Sequence, residues 1–127
     1  MNADTIPAGQ LACLLEDTAA GICADVAAVG LITGHDCFLH QPGFRRLVAA
    51  GSSICSGEPV AVIRWKAAIH ALDTGCLPCS GSQEAVLRIA ASLGDPAIPV
   101  RLRQVIGGLD HRSMTLVTAA ITAANGG

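Results

Sequence analysis

The stretch PVAVIRWKAAIHALD, running from Pro59 to Asp73, decides how the rest of the chain is read. Pro59 stands where a first-turn proline belongs, because the N–H it lacks would have no partner inside a helix anyway. Ala61, Trp65, Ala68, Ile69 and Leu72 fall on one helical face, and Val60, Ile63 and Ala67 widen it. Lys66, His70 and Asp73 leave only a narrow polar stripe, where His70 reads as a solvated or ion-paired residue beside the other two, and Gly75 supplies the stop. A helix apolar around most of its circumference belongs in the middle of a domain. The expectation is an all-α fold: a single compact bundle of five to six short helices around a central helix near residues 59–73, with residues 1–127 as one helical domain.

The neighbouring segments extend the pattern. Leu11, Leu15, Thr18, Ile22, Val26 and Val29 recur at steps of three and four after Pro7, with Gly21 placed to break or kink the helix. A short helix is expected from about Phe44 to Ile54, after an irregular loop closed by Pro42-Gly43. Ser80 with Gln83 three residues on forms a capping box, which predicts a helix that buries Val86, Ile89, Ala90 and Leu93 and stops at Gly94. A shorter helix near Val100–Ile106 ends at Gly107-Gly108. Asp110 then caps a last helix whose Met114, Val117, Ala120, Ile121 and Ala124 share a face.

Composition removes several function classes. The chain has 127 residues, half of them apolar, with Phe38, Phe44 and Trp65 as its aromatics and Lys66 as its sole lysine. That is too apolar for a disordered chain, and too poor in lysine and aromatics for a polybasic tail or a base-stacking surface. The net charge of −2 hides a split, −5 over residues 1–40 and +3 over residues 41–127, which reads as complementarity within the molecule. No lysine or arginine precedes Arg45, so no export signal is expected, and no apolar run is long enough for a membrane span. A cytoplasmic protein is expected, with its six cysteines as thiols that pack as small hydrophobes.

Two constellations carry candidate chemistry. Cys76-Leu77-Pro78-Cys79 is a C-x-x-C pair and Cys37-Phe38-Leu39-His40 a C-x-x-H pair, with His35 beside it. Two short chelating pairs of thiolate and imidazole suit tetrahedral zinc, so Cys37, His40, Cys76 and Cys79 form a candidate metal set; otherwise no cofactor is expected. Cys79 precedes the Ser80 cap, where helix N–H groups favour a thiolate, although a redox motif of the thioredoxin kind needs a preceding strand. His35, Asp36, Cys37 and His40 cluster in sequence, but a catalytic triad is assembled by the fold and not by adjacency.

The second constellation is basic. Arg101, Arg103, His111 and Arg112, joined by Arg88, surround a glycine turn between two helices, the pattern of a helix–turn–helix regulator over residues 100–124. One arginine at the opening of the would-be reading helix is thin for phosphate contacts. Ser80-Gly81-Ser82-Gln83 resembles the signature sequence of ABC ATPases, yet no G-x-x-x-x-G-K-[ST] occurs, and the capping box accounts for the same four residues.

With no motif for catalysis, the sequence points to a small non-catalytic accessory or regulatory protein that acts by protein–protein contact or self-association. DNA binding and zinc or thiol chemistry at Cys76 and Cys79 are its alternatives, and no membrane partner is expected.

Overall fold

The computed structural model describes residues 5–35 and 37–126; Asp4 and Asp36 of the acidic count lie outside them. The elements in order are α1 (Ala8–Ala19), α2 (Cys23–Gly34), a 3-10 turn (Phe38–His40), α3 (Pro42–Arg45), β1 (Val48–Ser52), β2 (Pro59–Ile63), α4 (Trp65–Asp73), α5 (Gly81–Gly94), α6 (Leu102–Ile106) and α7 (His111–Ala124).

The Pro59–Asp73 stretch is therefore not one helix. Its first five residues form β2, and the helix begins only at Trp65, after Arg64. Val60, Val62 and Ile63 are β-branched and fit a pleated surface better than a helix. Proline is tolerated at the start of an edge strand as readily as in a first helical turn. β2 pairs antiparallel with β1, Val48 opposite Ile63 and Ser52 opposite Pro59. β1 itself takes the middle of the helix expected over residues 44–54, of which only Phe44 and Arg45 are helical, in α3. Between the strands the chain turns through Ile54–Gly57, closed by Ser53 N–H to Glu58 carbonyl at 2.8 Å, with Gly57 at φ +72°. The chain is mostly helical with one small hairpin, and it is not a pure bundle.

The central helix also differs from the expectation. In α4 only Ala68 and Leu72 are buried. α2 buries Ala27, Ala28, Val29, Leu31 and Ile32, and packs against α1, α5 and α7. Small side chains on α2 let its neighbours close in: a Cβ added at Gly34 would stand 3.1 Å from Leu116 of α7. Phe38 and Phe44 fill the end of this core, with their rings 5.2 Å apart.

Other expectations hold in detail. The long N-terminal pattern breaks at Gly21, whose φ is +100°. Ser80 and Gln83 make both bonds of the capping box, and Asp110 accepts from Ser113 N–H at 2.7 Å. α7 turns differently from its apolar pattern, because Val117 and Ala120 are buried with Ser113 whereas Met114 and Ile121 are exposed. Ser113 can be buried because Ser82 of α5 shares a 2.9 Å hydrogen bond with it.

Candidate functional site

The thiol and imidazole residues come partly together. Arg45 donates to the carbonyl of Leu39 at 3.0 Å and to that of Ile6, which ties the 3-10 turn to the N-terminal end of α1. This turn carries Cys37 half-buried at its start and His40 exposed at its end. Cys37 Sγ lies 3.1 Å from His35 Nδ1, and the His35 ring leans on Phe38 with centroids 5.4 Å apart.

The C-x-x-C loop docks on the same region. Its N–H groups at Cys76 and Leu77 both donate to the Ala71 carbonyl that ends α4, and Leu77 is buried against Gly43. This geometry divides the pair: Cys76 is exposed, while Cys79 is half-buried and, like Cys37, packs on the core. Burial pushes the Cys79 thiol up from its ordinary value, and the negative charges of Cys37 and then Glu84 act in the same direction. Cys13, Cys23 and Cys55 are exposed, which corrects the expectation that the cysteines serve as core packing. Among the described residues, Cys37, His40, Cys76 and Cys79 included, no three His, Cys, Asp or Glu gather in an arrangement that could hold a metal ion. Asp36 of the sequence cluster lies outside the described residues.

The backbone N–H of Ser113 holds the Asp110 carboxyl below the usual carboxylate range, and the charge of His35 adds to this.

The basic set is divided. Arg88 bonds Asp73 at 2.8 Å and lies 3.6 Å from Glu84, so it is held by two carboxylates. Asp73 is accordingly engaged across α4 and α5, not with Lys66 and His70 along its own helix. Arg88 and Arg101 line a cleft of ≈ 810 Å³ together with Asp73, Glu84 and Gln104, so the cleft balances its charges. Arg101, Arg103, His111 and Arg112 are exposed around the α6–α7 turn. On the outer face of α7, Thr115, Thr118 and Thr122 donate their hydroxyls to carbonyls of their own helix.

The hairpin supplies a feature that the helical reading missed. Bonds from Arg64 N–H to the Leu47 carbonyl and from Ser53 N–H to the Glu58 carbonyl fix the ladder phase. By alternation, Ala49 and Gly51 bond to β2, while Val48, Ala50 and Ser52 turn their backbone groups outward. The two outer edges differ. On β2, Pro59 has no N–H, and Ala61 N–H is taken by Thr18 Oγ1 of α1 at 3.1 Å. On β1, among the described residues, nothing bonds to the outward groups of Ala50 and Ser52. The strand reads Val-Ala-Ala-Gly-Ser, without a proline or a charge to discourage pairing. The signals present in sequence were the Val60-Ala61-Val62-Ile63 run and the Ser56-Gly57 turn before it.

Among the helices of the described residues, none is long and apolar enough to cross a membrane. Compared with known proteins, the chain matches no family model, no curated protein and no solved structure.

Proposed function

We propose that this is a small non-catalytic accessory protein that works by association between polypeptide chains, with the open edge of β1 as the contact and a second copy as the occupant. The observation that supports this reading is the contrast between the two hairpin edges. One is closed by Pro59 and Thr18, and the other presents the backbone groups of Ala50 and Ser52.

Strand addition gives affinity through main-chain bonds and needs no aromatic anchors, which this chain lacks. The edge is self-complementary. About a two-fold axis through Ala50, that residue faces its own counterpart and Val48 faces Ser52 of the second copy, each facing pair exchanging both its bonds. Small uncharged side chains bring no like charges together. The exposed Val62 on β2 and the fully exposed Ile54 at the hairpin tip add apolar surface near the joint.

Sedimentation velocity across protein concentration tests the reading with Ala50→Pro as the variant. Proline at 50 removes an N–H that points outward and leaves the β1–β2 ladder intact, as an edge position permits. The wild type should form a concentration-dependent dimer, and Ala50→Pro should stay a monomer with unchanged circular dichroism. A wild type that remains a monomer throughout, or a variant that dimerises equally well, would overturn the reading.

Exposure of Arg101, Arg103, His111 and Arg112 supports the second reading, a duplex-DNA contact by α6 and α7. Binding to duplex DNA that weakens steeply with salt is its expected mark, and no association at low salt would end it.

A further inference from the structure

We infer that the recess between α1, α2, β2 and Trp65 is a binding site for a small quaternary ammonium compound, with Asp25 as its counter-charge and the indole of Trp65 as its aromatic wall. The inference is independent of the β1 edge. It rests on a cavity of ≈ 220 Å³ that Thr18 of α1, Asp25 of α2 and Trp65 at the start of α4 line together. The rest of the wall is apolar, with Leu15, Ala19, Val29, Ala61 and Ile63 each buried in the core.

The polar side chains of the recess differ in what they have left to offer. The Thr18 hydroxyl is engaged on both sides, donating to the Leu14 carbonyl at 2.7 Å and accepting from Ala61 N–H at 3.1 Å. The Asp25 carboxylate is half-buried in the first turn of α2 and has no hydrogen bond or ion pair among the described residues. Arg64 and Lys66 flank Trp65 in sequence, but they line a neighbouring cleft together with Asp95. The side chains of the recess therefore bring a single charge, and it is negative.

Gly94 also belongs to the wall, and the Nε1–Cε2 edge of the indole occupies the place where a side chain on that residue would lie, which holds the ring at the recess. A cation beside an aromatic ring is attracted by its π face, more strongly where water is displaced. The walls then decide between cations. A hard metal ion takes roughly six or more oxygen ligands, and the side chains here bring one carboxylate. A primary ammonium carries three N–H donors, each of which needs an acceptor once water is removed. A quaternary ammonium keeps its charge without a donor and presents methyl groups, which apolar side chains and an indole cover with no hydrogen bond lost. The volume lies below the roughly 300–1,000 Å³ of pockets for drug-sized ligands, and so suits a compound of few heavy atoms.

The test titrates the full-length protein with choline chloride at constant ionic strength and follows the emission of Trp65, the only tryptophan. A saturable change with a dissociation constant of about 1 mM or tighter is expected. Dimethylbutanol, the uncharged carbon isostere of choline, and ethanolamine, its primary amine counterpart, should each bind at least about tenfold more weakly. Asp25→Asn should lose about tenfold in choline affinity while its circular dichroism stays that of the wild type. If Asp25 serves only the start of α2, where a negative charge complements the free N–H groups, the variant will melt at a lower temperature yet bind choline as the wild type does, and the inference is overturned. No saturable response to choline, or a response equalled by dimethylbutanol or ethanolamine, would overturn it as well. Those comparisons use the wild type alone, so they decide the matter even if the variant does not fold.

Discussion

Replacing Gly94 by alanine should strain the joint between α4 and α5, because the indole of Trp65 lies directly against the Gly94 Cα. A Cβ built there would overlap Nε1 and Cε2 of the indole, and even Cδ1, the third-nearest atom, would be only 2.9 Å away. Either the indole leaves its place or the two helices separate. A buried aromatic covers roughly 150–250 Å². If the displaced half-buried Trp65 loses about 100 Å² of that cover, at about 25 cal/mol per Å² the loss is roughly 2.5 kcal/mol. The gain in helix propensity at the last residue of α5 offsets a fraction of about 1 kcal/mol. The net expectation is a destabilisation of about 2 kcal/mol, or a fall of about 6–10 °C in Tm for a chain of this size. Urea unfolding followed by fluorescence reads both effects, because Trp65 is the only tryptophan. The emission of folded Gly94→Ala should also shift to the red. Gly30→Ala is the matched control: it lies within α2, an added Cβ meets open space, and it should stabilise by about 0.4–1 kcal/mol. If Gly94→Ala behaves like Gly30→Ala, the reasoning about the α4–α5 contact is refuted.

Two further substitutions probe the helix starts. Ser80→Ala removes one of the two capping-box bonds of α5 and should lower stability by about 1 kcal/mol in the same urea assay. Asp110 has a folded value depressed by Ser113 N–H, so its contribution is present above the unfolded value of about 3.9 and is lost as pH falls through the folded value. Asp110→Asn keeps an acceptor at the cap without titrating. Its Tm should therefore fall less steeply than that of the wild type below about pH 5, as measured by thermal melts across pH.

The features legible in the sequence were those fixed by local chemistry. Ser80 with Gln83, Asp110 with Ser113, and Gly21 each act within a few residues, and each does in the fold what its neighbours imply. The hairpin was not legible by helical periodicity, because Val60, Ala61, Ile63 and Trp65 satisfy a period of nearly four and also lie on a β-ribbon running into a helix. What decides between them is long-range: Val48–Ser52 as a partner, and Thr18, more than forty residues away, bonded to Ala61 N–H. The face of α7 failed for a related reason. An apolar pattern placed Met114 and Ile121 inward, but Ser82 gives Ser113 a buried partner and Gly34 admits Leu116, so the helix turns to those contacts. Among the candidate site residues, spacing grouped each thiol with the nearer partner in sequence. The tertiary fold instead sets Cys37 against His35, exposes Cys76 and His40, and places Arg88 between Asp73 and Glu84.

The central claim, that the outer edge of β1 is where chains meet, is tested most directly by amide hydrogen exchange at single-residue resolution over a range of protein concentrations. The account predicts that the N–H groups of Ala50 and Ser52 exchange freely in dilute solution and gain protection as concentration rises, while Ala49 and Gly51, bonded to β2 in every state, stay unchanged. Exchange at Ala50 and Ser52 that remains fast at every concentration would contradict it.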